Sequence, residues 1–183
     1  MAPQAGIDRM GMITDEIRAY IGVWSETEVA CDPVEQGAVR RFAQAIMDDD
    51  PAYGPDADPG SRYGGPVAPP LFPNHMLRRA FGTPDLIQEN ARHPDFDGVV
   101  PGPGLPAIQP LAHLPVLNGG SEFEFFRYAR FGETVTLRLR YADIHEKPTS
   151  KGPLILVVIE SEIRTAAGEL LLRARRTLLR RVV

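Results

Sequence analysis

The sequence predicts an α+β fold in which an antiparallel sheet wraps around a central helix. Three observations support this class. A strand-like segment at 23–30 and a helix-like segment at 33–47 come first. From residue 120 onward, apolar and polar residues alternate with a period of two, which is typical of strands. The fully apolar start of segment 154–164 indicates a central strand that is covered on both faces.

The composition is that of one globular domain. The chain has 183 residues, of which 43% are apolar and 24% are charged. It is therefore long enough for one well-cored domain and short for two. We expect an N-terminal extension at 1–19 and the folded domain at 20–183. The net charge of −4 gives no reason to expect nucleic acid or an anionic membrane as a partner.

Cys31 is the only cysteine, which excludes a disulfide framework and a metal site built from several cysteines. Asp48, Asp49 and Asp50 are consecutive, whereas the ligands of a calcium loop alternate along the chain, so we expect no bound metal. The chain shows no signal-peptide-like start and no stretch near the roughly 18–20 apolar residues of a spanning helix. We therefore expect a cytoplasmic protein.

Capping residues and breakers delimit the elements of the first half of the chain. Thr14 or Asp15 can cap a short helix that Gly22 ends. Asp32 followed by Pro33 suits a helix start, because the carboxylate accepts free backbone N–H groups and proline is preset for the first turn. Pro70 opens a further helix in the same way. The resulting predictions are helices at 16–21, 33–47 and 71–81 and a strand at 23–30.

Long loops and then strands make up the remainder. Segments 48–70 and 98–110 are rich in proline and glycine and are predicted to be loops. Loops of this length in a compact domain are usually functional or ordered by a partner. A turn at 166–169 joins the last two strands into a hairpin. The predicted strands are 120–128, 133–144, 154–164 and 170–179.

The segment FAQAIMDDDPAY at 42–53 matches an active-site pattern except at three positions. Together with YGGPVAPPLF at 63–72 and NGGSEFEFFRYARFGETV at 118–135, it resembles the MaoC-like (R)-specific enoyl-CoA hydratase/dehydratase family of hot-dog proteins. That family carries a pattern close to F-A-x-x-x-G-D-x-N-P-x-H. Asp48 stands at the Asp position, but Met47 replaces the glycine, Asp50 the asparagine and Tyr53 the histidine.

The resemblance covers roughly residues 20–180 and is closest to the N-terminal, FAS1-like dehydratase half of two-domain and two-subunit members, whose site is typically degenerate. It implies a single hot-dog domain. It also implies that Asp48 and the residue at position 53 would hold and deprotonate one water molecule. A phenol with a pKa of about 10 is a poor general base compared with an imidazole of about 6.5. A surface carboxylate in an acidic loop is the ordinary alternative for Asp48.

Four further residues are candidates for the site. His75, near the start of the predicted helix 71–81, is the local substitute for the missing base; otherwise it is a hydrogen-bonded helix histidine. Gly119 and Gly120 are candidates for close backbone approach to the thioester. Arg127 is the preferred contact for a phosphate or a partner. The arginine-rich end at 173–181 is expected to be an edge strand that meets phosphates or guards the edge against mispairing.

The resulting prediction is a subunit of an enoyl-CoA hydratase or 3-hydroxyacyl-thioester dehydratase that pairs with a catalytic hot-dog partner. Its substrate would be an acyl-CoA or acyl-carrier-protein thioester, and no cofactor is expected. Phe72, Phe81 and Phe96 could line the acyl pocket, although core packing is the more ordinary use of each. A self-sufficient homodimeric hydratase, a hot-dog thioesterase and a non-catalytic acyl-thioester-binding scaffold are the alternatives.

Overall fold

The structure, a computed structural model, describes residues 11–77, 80–94, 102–150 and 152–181. Its helices are α1 (Asp15–Arg18), α2 (Gln36–Ile46), α3 (Phe72–Met76) and α4 (Leu86–Asn90), with 3-10 turns at Pro51–Tyr53 and Gln109–Leu111. Its strands are β1 (Glu28–Val29), β2 (Val116–Phe125), β3 (Val135–Thr149), β4 (Gly152–Thr165) and β5 (Leu170–Arg181). No helix in the described part of the chain combines the length and apolarity needed to cross a membrane.

The five strands form one antiparallel sheet in the order β1-β3-β4-β5-β2. β4 is central, as its apolar run predicts, and pairs with β3 on one side and β5 on the other. Ile155 and Val157 are buried on its inner face, whereas Leu156 and Val158 are only half-buried on the outer face. The outer face of this apolar stretch is therefore less completely covered than the inner face.

The core lies between the inner face of the sheet and the helices. Ile17 of α1, Val39 of α2 and Phe72 of α3 belong to one buried cluster with Ile155 of β4 and Leu171 of β5. Burial of such side chains supplies most of the folding free energy, at about 25 cal/mol per Å² of apolar surface. A sheet of this kind packed on helices is the α+β arrangement that the sequence predicts.

Three predicted helices differ in length from the observed ones. α1 begins after Thr14, one of the two predicted caps, whose side chain accepts from Ile17 N, but the helix ends at Arg18. α2 begins at Gln36 because Val34 N is bonded to Glu133 O and holds the chain out of the helix. The helix expected at 71–81 is only α3, with five residues; it ends at Met76 because the next residue, Leu77, has a non-helical ψ of 57°.

The predicted strand at 23–30 is reduced to the two residues of β1. Ser25 N donates to Leu139 O at 2.7 Å, but the Ser25 side chain then accepts from Leu139 N at 2.9 Å. A serine hydroxyl that takes a backbone partner competes with the regular ladder. Along this stretch only single bridges remain, such as Trp24 with Arg140.

β5 is not the edge strand that its arginines suggested. It lies between β4 and β2, so β1 and β2 form the two edges of the sheet. Arg175 and Arg173 of β5 bind carboxylates on the neighbouring strands, and Arg180 donates to the carbonyl of Leu111 at 2.7 Å. These arginines therefore have structural partners, and contact with phosphates stays a prediction.

The outer face of the sheet carries two buried glutamates. Glu160 and Glu162 of β4 are each at most 5% exposed. Glu160 is bonded to Arg140 at 2.6 Å and to Arg175 at 2.9 Å. The guanidinium of Arg140 also lies 4.6 Å from the centre of the Trp24 ring. Aromatic and cationic groups from β5, β3 and the segment before β1 thus cover the carboxylates and make their burial possible.

Candidate active site

Asp48 and Tyr53 meet where α2 ends and the first 3-10 turn begins. Asp50 caps this turn, because its Oδ1 accepts from Ala52 N at 2.9 Å. The turn brings the side chain of Tyr53 back towards the helix end, and its phenol donates to Asp48 Oδ2 at 3.1 Å. The other carboxylate oxygen, Asp48 Oδ1, accepts from Asp50 N at 3.3 Å. The structure therefore joins the two residues predicted to form the site.

This pair lines a cavity of about 560 Å³ together with Gln36, Arg40 and other residues of α2 and the following loop. Partial burial, the hydrogen bond to Asp48 and the negative charges of Asp48 and Asp50 raise the pKa of Tyr53 above its usual value. The phenol is therefore neutral and protonated at physiological pH. In this arrangement it can donate a hydrogen bond but cannot accept a proton from water.

Met47 adopts the left-handed conformation, with a φ of 57°, at the position where the resembled pattern has glycine. Its side chain is 92% exposed and gains no core contact in return for this backbone conformation. A side chain in this region costs about 1 kcal/mol, whereas glycine has no such penalty. Methionine in place of glycine therefore introduces local backbone strain beside the cavity.

We expect Met47→Gly to raise the free energy of unfolding by about 1 kcal/mol, because glycine is favoured at this position after a helix. Urea denaturation followed by circular dichroism measures the change. Ile46→Gly is the matched control, since Ile46 is also exposed but ends the helix in a helical conformation. The control should lose about 0.5–1 kcal/mol. Equal losses in both variants would contradict the assignment of strain to Met47.

His75 is not joined to the Asp48–Tyr53 pair. It is an exposed residue of α3, and its ring lies 5.6 Å from the centre of Phe42 and 5.8 Å from that of Phe72. Among the described residues, no hydrogen bond links His75 to either member of the pair. The geometry gives His75 an aromatic packing role, and its role as a substitute base stays a prediction.

Gly119 and Gly120 form a bulge in β2, at the register shift between Asn118 and Gly120. Gly120 has a φ of 123°, and its N–H donates to Asn118 Oδ1 at 3.0 Å. A Cβ on Gly119 would come within 3.0 Å of Thr177 O and of the Leu179 side chain. Glycine is therefore required for strand geometry at both positions, and contact of either with a substrate stays a prediction.

Arg127, the candidate for a phosphate or partner contact, is held within the fold. Its Nη2 lies 2.8 Å from Glu133 Oε1 and 2.6 Å from Glu169 Oε2, and its Nη1 donates to Tyr128 O at 2.9 Å. These contacts hold the segment that follows β2 against the turns before β3 and β5. Its contact with a phosphate or a partner was not tested by this geometry and stays a prediction.

The three phenylalanines considered for the acyl pocket differ in their surroundings. Phe72 is fully buried in the core and packs edge-to-face on Phe42 at 5.4 Å between ring centres. Phe81 is fully exposed. Phe96 lies outside the described residues. Core packing is therefore the observed use of Phe72.

A second cavity was not predicted from the sequence. It has a volume of about 570 Å³ and is lined by Arg62, Tyr63, Tyr128, Arg130 and neighbouring residues. The available signal was the Arg-Tyr pair at 62–63, which resembles the pair at 127–128 in the diagnostic run. Within the described ranges, no group of three or more His, Cys, Asp or Glu side chains is placed to hold a metal ion.

The five-stranded antiparallel sheet packed on helices is also the fold of solved MaoC-like dehydratases, so the predicted α+β hot-dog class is confirmed. The family model described as the FAS1-like dehydratase domain region matches residues 19–174, and the chain therefore belongs to this group of MaoC-like dehydratases. No curated protein matches the chain.

Solved structures with the same fold include chains of two protein complexes and a MaoC-like dehydratase. A chain of the ChsH1–ChsH2 complex from Mycobacterium tuberculosis is 20% identical, with a TM-score of 0.64 over 91% of this chain and 89% of that one. The MaoC-like dehydratase from Rhodospirillum rubrum is 20% identical, with a TM-score of 0.57 over 89% and 94%. The HadBC (3R-hydroxyacyl-ACP dehydratase) complex from M. tuberculosis is 19% identical, with a TM-score of 0.50 over 87% and 96%.

Proposed function

We propose that this chain is a non-catalytic subunit of an enoyl-thioester hydratase or 3-hydroxyacyl-thioester dehydratase, and that a second hot-dog chain supplies the catalytic Asp and His. The observation that carries the proposal is the hydrogen bond from the phenol of Tyr53 to Asp48. Hydration of an enoyl thioester needs a base that takes a proton from water and returns one to the α-carbon. A protonated phenol that already uses Asp48 as its acceptor does not meet this requirement.

The edge of the sheet supports pairing with another chain. Within the described residues, no strand pairs with the outer side of β2. Phe123 and Phe125 of β2 stack with ring centres 6.2 Å apart, and both stay nearly half exposed. A long unpaired edge with exposed aromatic side chains is a template for another strand. Membership of heteromeric complexes among the solved relatives, ChsH1–ChsH2 and HadBC, is consistent with this proposal.

Reconstitution tests the proposal. The purified chain alone should hydrate crotonyl-CoA no faster than buffer, because it lacks a base. Addition of a hot-dog chain with an intact G-D-x-N-P-x-H pattern, sought first in the adjacent open reading frame, should raise the rate at least ~100-fold, the lower range for general acid–base catalysis. Loss of the absorbance of the conjugated thioester measures hydration.

Three outcomes would contradict the proposal. Turnover by the isolated chain would indicate a self-sufficient homodimer. Release of free thiol without hydration would indicate a thioesterase. Binding of the thioester without turnover, in the presence of partners that carry the full pattern, would indicate a scaffold.

The proposed interface has its own matched pair of variants. Phe123→Lys places a charge on the β2 edge and should weaken association with the partner at least ~10-fold, because buried aromatic residues dominate interface energies. Val29→Lys is the control, since Val29 is 58% exposed on the opposite edge strand β1. Analytical ultracentrifugation of mixtures measures both. Equal weakening by the two variants would show that pairing does not use β2.

A further inference from the structure

Two arginines, Arg62 and Arg130, line the second cavity. Neither Arg62 nor Arg130 makes an ion pair with any described residue, whereas neighbouring Arg127 is bound by two carboxylates. Arg62 lies with its guanidinium 4.6 Å from the centre of the Tyr63 ring and donates to the Tyr63 hydroxyl. Arg130 donates to Tyr63 O at 2.8 Å. Two positively charged guanidinium groups therefore line one cavity, and their N–H donors outnumber the hydrogen bonds that they make there.

Stacked tyrosine rings support Arg62, and a glycine makes room for Arg130. The rings of Tyr63 and Tyr128 lie 5.0 Å apart with an interplanar angle of 21°. Gly64 adopts a φ of 68°, and a Cβ there would come within 3.3 Å of Arg130 Nη2. Glycine at this position thus leaves room for the guanidinium. A site whose charged groups are positioned before a ligand arrives loses less entropy on binding.

Phenyl rings line the same cavity. Phe125 and Phe126 both contribute to its wall, and each is nearly half exposed. Exposed rings beside arginines suit a ligand that has both a planar ring and an anionic group. A simple inorganic anion would leave the rings uncovered.

The second cavity is connected to the Asp48–Tyr53 site. Val67 forms a bridge with Arg130, and its N–H donates to Ala52 O at 3.0 Å, within the 3-10 turn that carries Tyr53. One short backbone segment is therefore a wall of the second cavity and a support of the first. A ligand in the second cavity would lie beside the candidate active site.

We propose that the Arg62–Arg130 cavity binds a nucleoside phosphate, with the phosphate between the guanidinium groups and the base against the phenyl rings. In an enoyl-thioester hydratase this group would be the nucleotide end of coenzyme A, so this source rests on the proposed function. A free purine nucleotide has the same chemistry and is the other source.

Isothermal titration with adenosine 3′,5′-bisphosphate tests the binding. The wild-type chain should bind it, and the double variant Arg62→Ala, Arg130→Ala should bind at least ~10-fold more weakly, since each charged hydrogen bond contributes substantially. Arg41→Ala is the control, because Arg41 is an exposed arginine of α2 that does not line this cavity. Thermal unfolding of each variant verifies that the fold is intact.

Competition separates the two sources. Displacement of the bisphosphate by coenzyme A would assign the cavity to the thioester substrate. Binding of the bisphosphate that coenzyme A does not displace would assign it to a free nucleotide. Absence of binding by the wild-type chain, or equal loss in Arg41→Ala, would overturn the proposal.

Crotonyl-pantetheine, which lacks the nucleotide, separates this inference from the proposed function. Hydration of crotonyl-pantetheine by the reconstituted complex, with no bisphosphate binding, would retain the function and reject the cavity assignment. Bisphosphate binding without any hydration by the complex would retain the cavity assignment and reject the proposed function.

Discussion

Replacement of Glu162 with glutamine is expected to lower the free energy of unfolding by about 3 kcal/mol, the lower end of the range for breaking a buried ion pair. Glu162 is 5% exposed, and three arginines share its carboxylate: Arg138 at 2.7 Å, Arg164 at 3.0 Å and Arg173 at 3.3 Å. Without the negative charge, the three guanidinium groups repel one another on the outer face of the sheet. Their partial exposure limits the loss, because water screens part of this repulsion.

Urea denaturation at pH 7 measures this effect, and Glu124→Gln is the matched control. Glu124 also pairs with Arg173, at 3.2 Å, but its side chain is 61% exposed. The control should cost less than about 1 kcal/mol, as exposed ion pairs do. Equal losses for the two variants would show that the buried network contributes no more than a surface contact.

The same carboxylate predicts how stability depends on pH. Burial alone would raise the pKa of Glu162, but hydrogen bonds from Arg138 and Arg164 and their charges lower it from 4.5 to about 2. A group whose pKa is lower in the folded state stabilises the protein above its unfolded pKa and loses that contribution as the pH falls. The wild type should therefore lose stability from about pH 4.5 down to about pH 2.

Comparison with Glu162→Gln isolates this contribution. The difference in unfolding free energy between wild type and variant should shrink as the pH decreases through that interval, because protonation removes the same charge as the substitution. Thermal or urea unfolding at a series of pH values gives the difference directly. A constant difference between pH 7 and pH 2 would contradict the lowered pKa.

Restoration of the family pattern is expected to create activity. The triple variant Met47→Gly, Asp50→Asn, Tyr53→His should hydrate crotonyl-CoA about 10²–10⁴-fold faster than the wild-type chain, the usual contribution of a positioned general base. The test uses the complex with a partner whose own catalytic aspartate has been replaced, so that only the restored site can act. The asparagine introduced at position 50 would still cap the 3-10 turn, because its side-chain oxygen accepts the same backbone hydrogen bond as that of aspartate.

Two controls accompany this variant. Further substitution of Asp48→Asn should abolish the gain, since the restored imidazole would lose its carboxylate partner. Tyr53→Phe alone should leave the wild-type complex as active as before, because the phenol takes no part in the proposed chemistry. A gain that survives Asp48→Asn, or no gain at all, would show that position 53 is not what limits this site.

Much of the fold follows from local patterns along the chain. The alternation in 133–144 and the apolar run in 154–164 predict β3 and the central β4, because a strand exposes one face at every second residue. Thr14 caps α1 as expected from the chemistry of its hydroxyl. The motif around Asp48 likewise identifies the family, since its residues are neighbours in sequence. These features depend on residues only a few positions apart.

Contacts between residues far apart in the sequence determined the features that local patterns do not predict. The Ser25 side chain shortened β1 by taking Leu139 N, 114 positions away. Glu162 occupies an outward position that alternation assigns to solvent, yet arginines from β3 and β5 bury it. In the Arg62–Arg130 cavity, the hydrogen bond from Arg130 to Tyr63 O joins residues 67 positions apart. Periodicity records which face of an element is apolar, but only packing of the whole chain determines which side chains meet and how much water is left between them.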